Sequence, residues 1–382
     1  MKIFIFIIGI LFLSVSCSLA QWQKEIQLTN SSGYPYKSPK VVTGGNYVHV
    51  VWTDYSNKKN EVHSIYYKRS TDEGTSWQKE INMANDNVFS GESSIAVSGA
   101  VVHIVWSEKI NEKKRKINYI RSTDNGNKWG KITKLTDNVA GSEEASISVY
   151  GSNVHIVWVD ERDKNEEIYY KKSTDNGESW GKDTRLTDNA DLSESPSVIV
   201  YDKIVFVIWH DYRFENFKTY YRRSTDGGLS WEAETNLNNW WLPTAGINSQ
   251  TVHLVYYNDP GGKIDLYYKR STDGGLDWQE VIPLMTKNSG INFEPVLSVS
   301  GQNVYIVWDD YPVISSHSRV IYFKRSTDDG NSWEKEISLS SDSYQSFTPS
   351  VSASANYVHV VYESMRNDSK WDLFYKRRTA GN

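Results

Sequence analysis

One eight-residue pattern, S-T-D-x-G-x-x-W, occurs six times in this 382-residue chain, at residues 70–77, 122–129, 173–180, 224–231, 271–278 and 326–333. Its aspartates, Asp72, Asp124, Asp175, Asp226, Asp273 and Asp328, recur every 47 to 55 residues. Such a period marks propeller blades or a solenoid, because each unit is too small to bury its own hydrophobic face and must stack on its neighbours.

Every unit has the same plan. A Ser- and Val-rich run is followed by a short Gly/Asn turn, a V-H-V-V-W run, a variable loop, an I-Y-Y-K-R run, the S-T-D box, and finally W-x-x-E-I-x-L. Val, Ile, Tyr and Trp suit pleated, half-buried surfaces, while the Gly, Asn and Asp clusters supply turns, so each unit predicts four short strands. Helical spacing is absent, and the expectation is an all-β chain. The box itself suits a tight hairpin. A short Asp can accept backbone N–H groups, Gly takes a positive φ, and the Trp ring is expected to fold back over the turn. This makes the six aspartates structural.

Seven V-H-V-V-W equivalents, starting at Val48, Val102, Val154, Val205, Val252, Val304 and Val358, stand against six boxes. The two ends of the chain account for the difference. Trp22-Gln23-Lys24-Glu25-Ile26 repeats Trp77-Gln78-Lys79-Glu80-Ile81, whereas Phe374-Tyr375-Lys376-Arg377 runs into a decayed box with Arg378 and Ala380 in place of Ser and Asp. The expected fold is therefore a seven-bladed β-propeller of four-stranded antiparallel blades, one domain over residues 21–382. Its last blade is closed by the N-terminal strand, which removes the free edges.

Residues 1–20 read as a signal peptide, with Lys2, an apolar run over 3–15 and Ser18-Leu19-Ala20 before Gln21. The run is shorter than the ~20 residues a membrane helix needs. A secreted, periplasmic or cell-surface protein with no membrane span is expected. Cys17 is the single cysteine, so no disulfide forms; lipidation at Cys17 is a less favoured alternative, since the preceding residues match that signal poorly. Mean hydropathy is −0.57, yet 15 Trp and 25 Tyr supply rings that bury area while keeping a polar edge wet. A net charge of −5 argues against a nucleic-acid partner. The basic run Lys113-Lys114-Arg115-Lys116 reads as a solvated hairpin tip beside Glu112. The recurring His49, His103, His155, His253 and His359 occupy a position held elsewhere by Phe206 and Tyr305, which indicates a ring site in each blade and not a metal cluster. No cofactor or metal motif is present, although Ca²⁺ stays open, and a monomer is expected.

The boxes resemble the BNR or Asp-box repeats of the sialidase-type propeller superfamily, and the resemblance spans nearly all of residues 21–382. It implies the fold more than the reaction, because glucan hydrolases, assembly factors and receptor domains share such propellers. Sialidase propellers usually have six blades, against seven counted here. The resemblance to sialidases further implies three arginines that clamp the substrate carboxylate, an Arg-Ile-Pro motif, an Asp acid/base, and a Tyr nucleophile with a Glu partner. The sequence departs from this: no arginine precedes Arg69, and Arg-Ile-Pro is absent. Arg69, Arg121, Arg223, Arg270, Arg325 and Arg377 precede the boxes and belong to the rim opposite the usual ligand face.

On the expected ligand face, the loops after the second strands offer Arg115, Arg162, Arg213, Arg319 and Arg366. The similar Asp160-Glu161-Arg162 and Asp211-Tyr212-Arg213 suggest a repeated local ion pair as much as a clamp. If the chain is a sialidase-like exo-glycosidase, its candidate residues are Asp54 or Asp160 as acid, Tyr212 or Tyr311 as nucleophile, and Arg162 and Arg213 on the substrate. Loops entering the innermost strands carry Glu92, Glu144 and Glu294 eleven residues before the repeat ring, with Glu194 one place further back. An acidic channel mouth disfavours an anionic sugar and favours neutral glycans, cationic groups or a cation. The same loops carry Tyr34, Tyr36, Phe89, Trp240, Trp241, Phe293, Tyr344 and Phe347, aromatics suited to stacking a sugar, engaging a protein or filling gaps between blades. The leading reading is a binding module for a glycan or an extracellular protein through Trp240, Trp241 and the glutamates. The alternatives are the diverged exo-glycosidase and a hydrolase of neutral polysaccharides.

Overall fold

The computed structural model describes residues 21–30, 38–57, 62–84, 90–111, 114–136, 140–213, 218–237, 241–258, 265–285, 292–312, 318–366 and 370–380, with the backbone alone at 55–57, 62, 241–242 and 292–294. Residues 1–20 with Cys17, and Tyr34, Tyr36, Phe89, Lys113, Trp240 and Gly381, lie outside these. So do the side chains of Trp241, Phe293 and Glu294.

The strands form seven four-stranded antiparallel sheets. Blade 1 is typical, with Lys40–Gly44 innermost, then Tyr47–Asn57, Val62–Ser70 and the short outer strand Ile81–Asn82. Blade 7 takes Gln345–Ala353, Tyr357–Met365 and Trp371–Thr379 from the C-terminal end and Ile26–Gln27 from the N-terminal end. Ile26 pairs with Tyr375 and Gln27 with Phe374, so the orphan strand does close the ring. Among the described residues no helix is long and apolar enough to cross a membrane.

Burial explains why the four strand types read so differently. The second strand lies between both neighbouring blades and is buried on both faces, so it reads V-H-I-V-W without alternation; Val154, Ile156, Val157 and Trp158 are fully buried. The innermost strand is an edge strand with unpaired N–H groups. Serines of the preceding blade accept some of them: Ser350 from Val41, Ser94 from Ile147, Ser146 from Val198 and Ser298 from Ala353. This is the physical reason that run is rich in Ser.

The box hairpins repeat one geometry. Ser70 Oγ accepts the Gly74 amide and donates to Asp72, whose carboxylate accepts the amide and hydroxyl of Ser76. These bonds hold Asp72 at about 2, although its slight burial works the other way. Asp124, Asp175, Asp226, Asp273 and Asp328 make the same Ser–Asp contact.

The box tryptophan reaches further than the turn over which the sequence placed it. It crosses to the preceding blade and stands edge-on to a third-strand ring: Trp129 on Tyr67, Trp180 on Tyr119, Trp231 on Tyr170, Trp333 on Tyr268 and Trp77 on Tyr375. Trp22, from the closing strand, does the same on Phe323. The tyrosine hydroxyl also reaches Nδ1 of the repeat histidine, as in His49–Tyr67 at 2.6 Å and His155–Tyr170 at 2.7 Å. The pre-box arginines then reach the next blade's box carbonyls, Arg69 to Asn125 and Arg121 to Asn176. Each joint between blades is thus an aromatic and hydrogen-bonded interlock built from equivalent residues of adjacent blades. Blade 6 varies it with Tyr305 at the histidine position and Phe323 at the tyrosine position.

Candidate functional site

The axial mouth is shaped by a bulge near the start of the innermost strand. Register shifts fall between Ser90 and Ser93, Glu143 and Ser146, Glu194 and Ser197, and Phe347 and Ser350. The described side chains eleven residues before the repeat ring are Ser38, which precedes the blade 1 innermost strand, and Glu92, Glu144, Ser195 and Thr348, which fall within these bulges. Ser38, Glu144, Ser195 and Thr348 have φ between 40° and 53°. Left-handed backbone is costly for such residues and re-aims the side chain it carries.

Two adjoining cavities open there. One of about 300 Å³ takes lining from blades 1, 2, 4, 5 and 6, including Ser38, Lys40, Glu92, Ser195 and His210, which places it on the propeller axis. The other, about 320 Å³, is lined by Lys40, Glu92, Ser93, Glu144 and Ser195. Glu144 accepts the Ser195 amide at 2.6 Å. Burial pushes its carboxyl up to about 7; the Ser195 amide opposes this, and the charges of Glu92, Glu194 and Glu143 add to it.

Glu194 precedes the bulge, and this separates it from the others. It pairs with His210 in the ladder, and its carboxylate accepts the Tyr212 hydroxyl at 2.9 Å. Burial, that hydrogen bond and the charges of Glu194, Glu144 and Glu166 push the phenol up to about 12. Tyr212 and Glu194 thus form a Tyr–Glu pair of the kind that the sialidase resemblance implies, with a carboxylate placed to accept the hydroxyl proton.

The top-face arginines are held in ion pairs, within their own blades except for Arg115, which reaches the next blade. Arg162 grips Asp160 through Nε and Nη2, both at 2.8 Å, reaches Asp183 at 2.8 Å and lies over Tyr169. Arg213 repeats this with Asp211 at 2.7 Å, Glu234 at 2.5 Å and the Tyr220 ring. Asp183 and Glu234 lie just before or near the outer strands, so both guanidinium groups point to the periphery. Arg115, Arg319 and Arg366 pair with Glu143, Asp309 and Glu25. None of the five lines the axial cavities.

Asp160 is fully buried and also accepts from Ser142 and Trp158. Burial alone would raise it, but the hydrogen bonds from Arg162 and Trp158 outweigh burial and hold it below the usual carboxylate range. Asp54 is buried at the equivalent end of the blade 1 second strand, opposite Ser64. Tyr311 donates its amide to Asp310 and lies away from both cavities. The structure therefore brings together Glu92 and Glu144, and separately Tyr212 and Glu194, and among the described residues gathers none of the remaining candidates at the axis; Trp240 and the side chains of Trp241 and Glu294 lie outside the described residues. Lys40, Ser93 and His210 were missed; Ser38 and Ser195 were readable from the same eleven-residue offset that found the glutamates. Among the described residues no group of His, Cys, Asp or Glu is arranged to hold a metal ion.

No family model matches this sequence, and no curated protein does. Similar solved structures include the endosialidase of phage phi92, at TM-score 0.57 and 10% identity over 94% of this chain and 69% of that one. Trypanosoma rangeli sialidase aligns at TM-score 0.51 and 12% identity over 91% of this chain, which spans 55% of its length. A protein of unknown function from Dyadobacter fermentans DSM 18053 aligns at TM-score 0.53 and 12% identity, covering 77% of this chain and 96% of that one. At such identities these likenesses establish the fold, which is that of a sialidase-type β-propeller.

Proposed function

We propose that this propeller is an exported binding module that takes a neutral or cationic glycan at its axial mouth. The observation that carries the reading is the convergence of Glu92 and Glu144 on one cavity whose lining contains no arginine. A sugar carboxylate would meet two carboxylates there against the single exposed cation Lys40, with no guanidinium to pair with it. Aromatic residues of the surrounding loops, Trp240 and Trp241 foremost, would stack on the sugar faces. A glycan array tests this. Wild type should retain neutral or amino glycans, and Trp240→Ala/Trp241→Ala and Glu92→Gln/Glu144→Gln should lose them while keeping the wild-type unfolding transition. Unchanged retention by both variants, or retention of acidic glycans alone, overturns the reading.

The raised Glu144 carboxyl favours one second reading, hydrolysis of a neutral polysaccharide. A carboxylic acid that keeps its proton near pH 7 beside a second carboxylate is the pairing that glycoside hydrolysis uses. Here Glu144 would protonate the leaving oxygen and Glu92 would act on the water or the anomeric carbon. Reducing-end release from a panel of neutral polysaccharides, lost in Glu144→Gln, would support it, and its absence across the panel would remove it. For the sialidase-like alternative, a fluorogenic sialoside that is turned over, with turnover stopped by Arg213→Ala, would overturn the interpretation of the arginines as scaffold.

A further inference from the structure

Ser93 is 3% exposed and lines both axial cavities, yet its hydroxyl has no hydrogen-bond partner. An unmet buried hydroxyl is costly. It stands beside two carboxylates, Glu92 of the same strand and Glu144 of the next blade, in the 320 Å³ cavity. We infer that the sugar unit seated at the axial mouth carries a free ammonium group, as a glucosamine residue does, held by Glu92, Glu144 and Ser93; this rests on the glycan-binding reading above.

An ammonium carries three N–H donors and no acceptor, and Glu92, Glu144 and Ser93 offer three acceptor groups on two adjacent blades. Hydrogen bonds from a charged donor to a carboxylate are roughly twice as strong as neutral ones, so the amine contributes more than a hydroxyl in the same place. N-acetylation removes both the charge and two of the donors and adds bulk to a cavity near the small end of ligand pockets.

The surrounding charges favour the same ligand. The repulsion that Glu92, Glu194 and Glu143 exert on Glu144 is relieved by a cation between them, and binding then draws the Glu144 proton into solution. Among the described residues the other titratable groups facing the cavities are Lys40 and His210. Lys40 lines both cavities from blade 1 and is itself exposed, so water screens its charge, and burial lowers His210 to about 4, which keeps it neutral.

Isothermal titration calorimetry at pH 7 tests the inference, using glucosamine and N-acetylglucosamine oligomers of equal length in two buffers with different ionisation heats. The amino oligomer should bind roughly tenfold tighter or better, with proton release. Glu144→Gln should bring the two oligomers within about twofold and abolish the release, and Ser93→Ala should narrow the gap without changing the fold. Equal affinity for the two oligomers, or a preference that survives in both Glu92→Gln and Glu144→Gln, overturns the ammonium site and leaves glycan binding standing. Failure of every glycan to bind overturns both.

Discussion

Trp129 of blade 2 stands edge-on to Tyr67 of blade 1, with ring centroids 4.8 Å apart and planes at 80°. The pair joins two adjacent blades, and it recurs around the ring. Trp129→Ala should therefore cost about 2–4 kcal/mol, from the lost burial, the lost ring pair and the cavity left behind. Urea unfolding measures it; a loss under about 0.5 kcal/mol would mean the joint is not a stabilising contact.

Gly126 gives a sharper test of the same joint. A Cβ there would lie 1.9 Å from the Tyr67 hydroxyl, at φ +75°, whereas Gly151 has φ +58° with nothing near. Both alanine variants carry backbone strain, but Gly126→Ala must also displace Tyr67. Gly151→Ala should cost about 1 kcal/mol and Gly126→Ala at least twice that. Equal costs would contradict the interlock.

The repeat histidines should make the protein acid-sensitive. Burial, with smaller help from neighbouring cations, lowers His49, His253 and His359 to about 3 and His103 and His155 to about 4. The unfolded chain takes up protons near pH 6.5 while the folded one does not. Stability is thus present above pH 6.5 and is lost as pH falls towards 4. His155→Phe, which imitates Phe206, should reduce the proton uptake on unfolding by about one at pH 5. Calorimetric melts from pH 8 to 4.5 check the slope.

Glu144 works in the opposite sense. Its folded carboxyl titrates near 7 and its unfolded one near 4.5, so its stabilising contribution is present at low pH and is lost as pH rises from about 4.5 to 7. Glu144→Gln should be more stable than wild type at pH 8, by on the order of 1–3 kcal/mol, and should have no advantage at pH 4.5. An advantage independent of pH would show that charge is not the cause.

Arg162→Ala should leave the fully buried Asp160 short of its main counter-charge and cost about 2–3 kcal/mol, discounted for the partial exposure of the guanidinium. Asp160→Asn/Arg162→Ala should recover part of that loss. A double variant no better than Arg162→Ala alone would argue against the pair as a self-contained staple.

The blades, their count and the closing strand were all legible in the sequence, because a pattern repeated six times identifies a hairpin and the match between Trp22 and Trp77 identifies the missing strand. The destination of the tryptophan was not legible. Trp129 follows its own box in sequence, and nothing local reveals that its ring also meets Tyr67 of the neighbouring blade. At the mouth, counting eleven residues back from the ring found Glu92 and Glu144, but it grouped Glu194 with them. A single residue of register across a bulge is enough to send Glu194 to Tyr212 instead of the axis. The arginines were ambiguous for a related reason: Asp160-Glu161-Arg162 gives the spacing of an ion pair, while its direction depends on Asp183, which lies on another element.

Ile26 and Tyr375 sit side by side in one blade although they belong to opposite ends of the sequence. The contact can form only after six intervening blades have stacked or at least collapsed, so ring closure is the longest loop this chain must shut. Until then the flanks of the first and last blades stay open to other chains. Folding should accordingly be slow and concentration-sensitive, with its final step the docking of a short strand whose sequence has been waiting since the beginning of the chain.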